Sequence, residues 1–582
     1  MPRLSVLGLA ALLGLVLVRP AAAQENWQRY QAEAVRVEQA PAIDGFLDDP
    51  AWQSAHVITD FIQQEPNEGA PVSERTEVRI LYDERNLYIG VYAYDSDPGG
   101  IIATEMRRDS NRILEEDNFQ IILDTFRDSR SAYMFVTTPL GAKLDQQVFE
   151  EGEGGRRGSS TNLNRDWDGV WDVAARRVQD GWIAEIAIPV VTLRFPPGDS
   201  QTWGVNFMRN IGRKNEQAFW APIEKGYGLT RVSLAGRVNG MLGLNRGRDL
   251  RIKPFVIGGG TSIRNGGPAD NSLEQDIGLD VKYGITPGLN LDVTLNTDFA
   301  QAEIDEEQVN LTRFPLFFPE KRDFFLENSG QFNVGTTNSL GRIADLFFSR
   351  RIGLSETGAP VPILAGARLT GKVGANNIAI LDVQTDDAYG RPGENYLVSR
   401  YSRDFLGRSK IGGLFINKQA MSGGHYNRTY AADMNIAPHP YLTINGFIAK
   451  TESPGVDSDQ YGGHLRAGWL SQSWRIYTEY TNLDDNFRPE VGFVPRRGIV
   501  TRKLHFENNP RPGILGIRMM EPMMNVEVTT DQSGKLLTRQ WHNMVGTRFG
   551  SGAYLNVWYN HWFERLERPF AIRPGIVIPA GD

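Results

Sequence analysis

The stretch DIGLDVKYGITPGLNLDVTLNTD, Asp276 to Asp298, decides how the C-terminal half of this chain is read. In an extended segment successive side chains point to opposite faces. Ile277, Leu279, Val281, Tyr283 and Ile285 therefore share one face, and Gly278, Asp280, Lys282 and Gly284 the other. After Thr286-Pro287-Gly288 the pattern resumes, with Leu289, Leu291, Val293 and Leu295 opposed to Asn290, Asp292, Thr294 and Asn296. Two such segments joined by a tight turn predict a hairpin with one apolar and one polar face. A transmembrane barrel needs this, apolar toward lipid and polar toward the lumen, although a soluble sandwich shows the same alternation.

Repetition favours the barrel. LAGARLTGKVGANNIAILDVQTDD, NYLVSRYSRDFLGRSKIGGLFINKQ, YNRTYAADMNIAPHPYLTINGFIAKTE, YGGHLRAGWLSQSWRIYTEYTN and LTRQWHNMVGTRFGSGAYLNVWYNHW all read as paired strands. Each strand is roughly ten residues long, the length a tilted barrel strand needs. Tyr441, Trp469, Trp474, Tyr480, Trp541 and Trp558 fall toward strand ends, where interfacial aromatic girdles sit. From about residue 242 to 582 the pattern predicts about fourteen to sixteen strands, an even number by the bacterial rule. Asp298 to Phe332 breaks it: acids, two prolines and a Phe-rich core predict a non-strand plug or cap. The ending Ala580-Gly581-Asp582 reads as a turn toward a further strand, so truncation of the barrel is expected.

Composition narrows the class. With 582 residues more than one domain is expected. A net charge of -8 argues against general affinity for nucleic acid. Residues 1–23 read as a secretory signal peptide: Arg3, an apolar run from Leu4 to Val18, and Ala21-Ala22-Ala23 before Gln24. The absence of cysteine excludes disulfides and thiolate sites, so an exported chain of this kind is held by sheet and core packing.

Residues 24–241 carry strand signals of another kind. Val78, Ile80 and Tyr82 alternate, Asp83 to Asn86 is turn-like, and Leu87, Ile89 and Val91 resume the alternation. DNFQIILD (Asp117–Asp124) and GWIAEIAIP (Gly181–Pro189) repeat it, and an antiparallel β-sandwich is expected. The fold class is thus all-β: a sandwich followed by a transmembrane barrel.

Ile43-Asp44-Gly45, Leu47-Asp48 and Trp52, then NLYIGVYAYD (Asn86–Asp95), DNFQIILD and GWIAEIAIP, resemble in that order the family-9 carbohydrate-binding module. The resemblance implies a sandwich that clamps a sugar between aromatic rings while polar side chains read its hydroxyls. Asp298 to Phe332 and Asp485 to Gly498 resemble an uncharacterised outer-membrane barrel family that often follows such a module. The implied location is the outer membrane of a Gram-negative-type bacterium, lipid around the barrel and the sandwich in the periplasm.

Within the sandwich, Trp52 and Trp182 are read as core residues. Trp167, Trp171 and Trp220 lie near loops, and Asn206, Arg209 and Asn210 offer donors and acceptors close in sequence to Trp220; these six are the candidate carbohydrate contacts. No cofactor is expected. Haem lacks ligands, since His56 is the domain's one histidine and Met106, Met134 and Met208 suit a core. Asp44, Asp48, Asp49, Asp166 and Asp168 are oxygen ligands available to a structural calcium ion, but no EF-hand pattern orders them. No zinc-protease, nucleophile-elbow or phosphate-loop motif is present, and no catalytic residue or metal site is assigned.

Three functions fit: a carbohydrate-binding outer-membrane protein serving carbohydrate uptake or catabolism, an O-glycosyl hydrolase or its accessory module, and a barrel for a non-sugar solute carrying a structural sandwich.

Overall fold

The computed structural model describes residues 26–152, 162–263, 270–297, 308–338, 341–355, 358–573 and 575–582. Residues 1–23, expected as a signal peptide, and positions 298–307 of the expected plug lie outside them.

The sandwich has two sheets. One carries nine strands, among them Ser200–Ile211, Asn118–Asp124, Ala132–Thr137 and Lys143–Val148. The other is ordered Asp172–Val178, Gly181–Pro189, Asn86–Tyr94, Thr76–Tyr82 and Val35–Arg36. The expected hairpin is present, with Val78 opposite Val91 and Ile80 opposite Ile89. Its turn forms because Asp83 Oδ1 accepts the backbone N–H groups of Arg85 and Asn86, both at 2.7 Å. Between the sheets Val78, Ile89, Phe119, Ile121, Trp182, Ile186 and Phe207 are buried in one apolar cluster.

The pairing is not antiparallel throughout. Gln31–Glu33 joins Gly236–Leu242 in parallel, and Val35–Arg36 joins Thr76–Tyr82 in parallel. The segment from Gln31 to Arg36 crosses from one sheet to the other, which a hairpin-based reading does not anticipate.

The Ile43-Asp44-Gly45 motif closes on a single carboxylate. Glu185 Oε2 accepts the backbone N–H groups of Asp44 and Gly45 at 2.8 and 2.7 Å, and Oε1 accepts Trp52 Nε1–H at 2.7 Å. Gly45 has φ +91°, a backbone conformation that favours glycine. Trp52 then packs with Leu81, Tyr88 and Ala187 on the outer face of the five-stranded sheet. The motif is a latch on that face.

Among the described residues the C-terminal half is dominated by one antiparallel sheet of fifteen strands, from Arg251–Ile263 to Tyr554–Glu564, each paired with the next strand of that sheet, and the small hairpin Gly335–Asn338/Gly341–Asp345 lies outside it. The count lies within the expected range but is odd. Within it, Val281 opposes Val293 and Tyr283 opposes Leu291, as the opening stretch predicts.

Burial is inverted relative to a soluble sheet. Asn290, Asp292, Thr294, Arg368, Glu479 and Lys503 are buried, while Ile277, Ile411, Ile448, Leu465, Leu504 and Trp474 are exposed. Polar inside and apolar outside is the transmembrane barrel arrangement. Of the expected girdle, Trp469, Trp474, Tyr480, Trp541 and Trp558 present exposed rings, and Tyr441 and His439 pack against Trp469 near one strand end. Ala580 to Asp582 fold back, Leu566 N–H donating to Gly581 O at 2.8 Å and Arg565 pairing with Asp582 at 2.5 Å.

Residues 308–332 carry no strand and turn inward. A short helix, Asp323–Leu326, delivers Phe324 and Phe325 into a cluster with Phe332 and the inward-facing Leu381, Val398, Leu414 and Ile416 of the barrel. Phe487 and Val491 of the second motif stretch join the same cluster, and Asp345 and Phe493 exchange backbone hydrogen bonds at 2.9 and 2.8 Å. Beside the helix, Glu327 receives Arg194 of the sandwich at 2.5 Å and Lys282 of the barrel.

The sandwich sits against the barrel end where the strands join through short turns. Asp128 meets Lys372 at 2.5 Å, Glu150 meets Lys410 at 2.6 Å, Glu151 meets Arg408 at 2.7 Å, Glu68 meets Arg511 at 2.7 Å and Glu65 meets Arg518 at 3.0 Å. In these five pairs acids on the sandwich face bases on the barrel, Arg130 pairs in the opposite sense with Asp404, and the apolar clusters of the two parts stay separate. Burial acts to raise Glu150, yet Lys410 and Arg130 beside it hold its carboxyl at about 2.

Two outcomes follow. Glu185→Ala strands three donors, and the sandwich should lose about 3 kcal/mol in chemical unfolding, with Glu185→Gln losing less. Glu150 is depressed in the fold, so its contribution is present above the ordinary carboxylate pKa and is lost as pH falls toward about 2. Glu150→Gln should therefore flatten the acid limb of docking, read as hydrogen exchange at Phe149 and Leu406.

Candidate functional site

The six residues read from sequence as sugar contacts are all buried, and the fold uses them internally. Trp220 packs edge-on to Tyr30 at 5.8 Å and against Phe207 at 5.8 Å. Trp167 lies on Tyr133 at 5.2 Å, and Trp171 lies on Phe135 at 5.4 Å with its indole N–H donated to Asp145 at 3.0 Å. Asn206 bonds both ways with Ala221, its Nδ2 donating at 2.8 Å and its Oδ1 accepting at 2.9 Å. Arg209 donates to the carbonyls of Arg75 at 3.0 Å and Tyr94 at 2.7 Å, clamping one sheet to the other. Asn210 donates to Glu116 O at 2.6 Å. A polar residue near a tryptophan looks alike in sequence whether it reads a ligand or satisfies buried backbone, and here it does the second.

Trp52 and Trp182 are core residues, as expected. Met134 and Met208 fill a second apolar cluster, while Met106 is exposed and the exposed His56 faces Glu33 at 3.9 Å. Asp44 and Asp49 accept backbone N–H groups, and Asp168 pairs with Arg108. Among the described residues no group of three or more His, Asp or Glu is placed to hold a metal ion.

Half-exposed aromatic surface on the sandwich lies elsewhere. Tyr92 and Tyr94, two apart on one strand, stack at 4.2 Å with 18° between their planes. Tyr92 O–H donates to Asp180 at 2.6 Å, and Arg75 lies over Tyr94 at 5.5 Å while pairing with Glu77 at 2.6 Å. Aromatic faces ringed by carboxylates and guanidinium groups are what a sugar needs. The signal in the sequence is the VYAYD end of the strand, read there only as alternation.

The larger feature is a cavity of about 880 Å3 inside the barrel. Three parts of the chain wall it: Arg130, Glu150 and Tyr227 of the sandwich, Asn328 and Gln331 of the inserted segment, and inward side chains of the strands. On the strands from Tyr461–Leu470 to Leu536–Phe549, these include His464, Arg466, Tyr477, Glu479, Lys503 and His505. Tyr477 and His505 stack at 4.4 Å with 13° between planes, and Arg466 lies over Tyr477 at 4.4 Å. Sequence reading placed polar residues in a wet lumen without naming these; their charges at every second position of three successive strands were the available signal.

Comparison with known proteins agrees with this division. Residues 43–221 match the family model described as carbohydrate family 9 binding domain-like, and residues 249–368 match a domain of unknown function, DUF5916. No curated relative matches the chain in sequence. Among solved structures, a family-9 carbohydrate-binding module from Caldicellulosiruptor kristjanssonii in complex with cellotriose aligns at 15% identity, covering 36% of this chain and 92% of that one, with a TM-score of 0.25. A putative carbohydrate-binding protein from Bacteroides uniformis aligns at 14% identity over 36% of this chain and 98% of its own, with a TM-score of 0.28. A BenF-like porin from Pseudomonas fluorescens aligns at 10% identity over 77% of this chain and 97% of its own, with a TM-score of 0.24.

Proposed function

We propose that this chain is a carbohydrate-binding protein of the bacterial outer membrane, serving the capture or uptake of glycans, with its sandwich in the periplasm. The cavity walled jointly by sandwich, inserted segment and barrel carries the reading: a solute held there touches every part of the chain at once. Short turns in bacterial barrels face the periplasm, and the sandwich docks at that end. The family-9-like match over residues 43–221 supports carbohydrate as the ligand class. Since the six tryptophan-centred candidates are buried, the half-buried Tyr92–Tyr94 pair is the surface on which the sandwich takes a sugar.

A second reading keeps the barrel and assigns the sandwich a purely structural task, with a non-sugar solute in the lumen. The internal use of all six candidate residues favours it.

Titration calorimetry on the full chain in detergent, with mono- and oligosaccharides, separates the two. Saturable heat is expected, and Tyr92→Ala/Tyr94→Ala should weaken the sandwich component at least about tenfold, the scale of one lost stacking contact. No heat with any sugar from folded protein selects the structural reading. New reducing ends in a glycan panel would identify a hydrolase instead.

A further inference from the structure

The last strand of the fifteen-stranded sheet, Tyr554–Glu564, has the sequence YLNVWYNHWFE. Its Asn560 and Trp562 line the barrel cavity. Alternation places Tyr554, Asn556 and Trp558 on the same inward face. Contacts agree with this: Tyr554 O–H donates to the buried Glu521 at 3.1 Å, and Trp558 stands opposite the buried Met544. Leu555, Val557, Tyr559, His561 and Phe563 take the outward face, His561 meeting the exposed Trp541 at 6.3 Å. The inward face thus reads Tyr, Asn, Trp, Asn, Trp.

These rings have no task in the membrane or the core. Inward positions of a barrel meet water and are polar as a rule, yet Tyr554, Trp558 and Trp562 are 48%, 56% and 62% exposed. Girdle aromatics face outward near strand ends. Trp558 is inward and near the middle of its strand. Other inward aromatics are covered, Phe447 within the apolar cluster and Tyr477 by His505. The outer edge of the strand is unpaired among the described residues. Side chains stand perpendicular to a sheet, so a flanking strand would cover the sides of these rings and leave their lumen surface open. Large aromatic surface kept facing water marks a place for a ligand.

Spacing and charge define that ligand. Residues four apart on a strand are separated by about 13 Å. A single sugar ring cannot touch two of these aromatics, whereas a linear oligosaccharide bridges them. Opposite Asn556, Trp558, Asn560 and Trp562 the neighbouring strand presents Gly546, Met544, His542 and Gln540. None of these is a carboxylate, ammonium or guanidinium group. The charges lie at the two ends and are paired there, Glu521 with Arg548 at 3.1 Å and Glu564 with Arg313. Between the two tryptophans Asn560 Oδ1 accepts from His542 Nδ1 at 2.5 Å, which fixes the orientation of an exposed amide. Rings suit the C–H faces of sugars and amides their hydroxyls. The row ends beside the sandwich: a Cβ on Gly552, in the turn before Tyr554, would lie 3.4 Å from Asn215.

We propose that this inward face is an aromatic track that binds a neutral linear oligosaccharide along the barrel. The proposal rests on the carbohydrate reading above and adds where in the barrel the sugar lies and that it is a chain. A uronic-acid chain would find no cation between the ends, and an apolar aromatic solute would leave the amides unused.

The test uses the full chain carrying Tyr92→Ala/Tyr94→Ala, so that remaining heat belongs to the barrel. Calorimetry in a detergent without a sugar headgroup is run with maltotriose, glucose, a galacturonic acid trimer and benzoate. Maltotriose should give saturable heat and the other three at least about tenfold weaker binding, the scale of one lost stacking contact. Trp558→Ala/Trp562→Ala should weaken maltotriose by at least about tenfold, and Trp558→Phe/Trp562→Phe, which keeps two rings in place, by less. Trp541→Ala, which removes an outward ring from the adjacent strand, should leave the isotherm unchanged. Equal loss in Trp541→Ala, or unchanged maltotriose binding in the double alanine variant, overturns the track. Glucose or the galacturonic acid trimer binding as tightly as maltotriose overturns the ligand class. Absence of heat in the tyrosine-deleted background when the parent chain still binds sugar overturns the track and leaves the function reading standing. Heat with benzoate but with no sugar in any form of the chain overturns both.

Discussion

Glu327 is the point at which three parts of the chain become one structure. It belongs to the inserted segment, and it receives Arg194 from the sandwich and Lys282 from the barrel. Among the described residues Arg194 has Glu327 as its one ion-pair partner and is itself buried, so breaking that pair costs about 3 to 5 kcal/mol, the scale for a typical buried pair. Next to Glu327, Asn328 extends the junction, its backbone N–H donating to Gln147 Oε1 of the sandwich at 3.1 Å and its side-chain oxygen accepting from Arg194 and, at 3.3 Å, from Thr370 Oγ1 of the barrel. With the segment pinned here, its phenylalanines have one wall to pack on, and the opposite wall stays lined with polar groups.

The joint between sandwich and barrel follows the same physics on a larger scale. It is made of opposite charges with the apolar cores kept apart, so the two parts fold around separate hydrophobic clusters and meet through directional contacts. Ionic joints of this kind add specificity of register more dependably than net stability. These ion pairs, with charges of both signs on each side, set which end of the barrel is covered.

Much of this was legible in the sequence wherever one face of a strand differs from the other. Asp276 to Asp298 reads correctly because lipid and lumen impose opposite demands on alternate residues. Alternation fails at Ala379 to Val383, where Ala379, Ile380 and Leu381 form an apolar run: Ile380 faces outward while its neighbours meet the inserted phenylalanines, so both faces are apolar. The opening Ile-Asp-Gly motif announced a sandwich, yet its partner Glu185 lies about 140 residues further on, and spacing alone cannot pair them. The tryptophans misled for a related reason. Trp220 and Asn206 are the kinds of residue that a sugar site uses, and their neighbours in space, Tyr30 and Ala221, came only with the fold.

The segment that crosses between the two sheets has a consequence for assembly in time. Gln31–Glu33 is the first strand in N-to-C order among the described residues, and its partner Gly236–Leu242 is the last of the sandwich. Closing a loop of that length costs entropy before any contact repays it, and topologies with such distant pairings fold slowly. The nine-stranded sheet keeps one open edge until the chain has reached the threshold of the barrel. Completion of the sandwich and entry of the first membrane strand, Arg251–Ile263, are thereby brought close together in the order of synthesis.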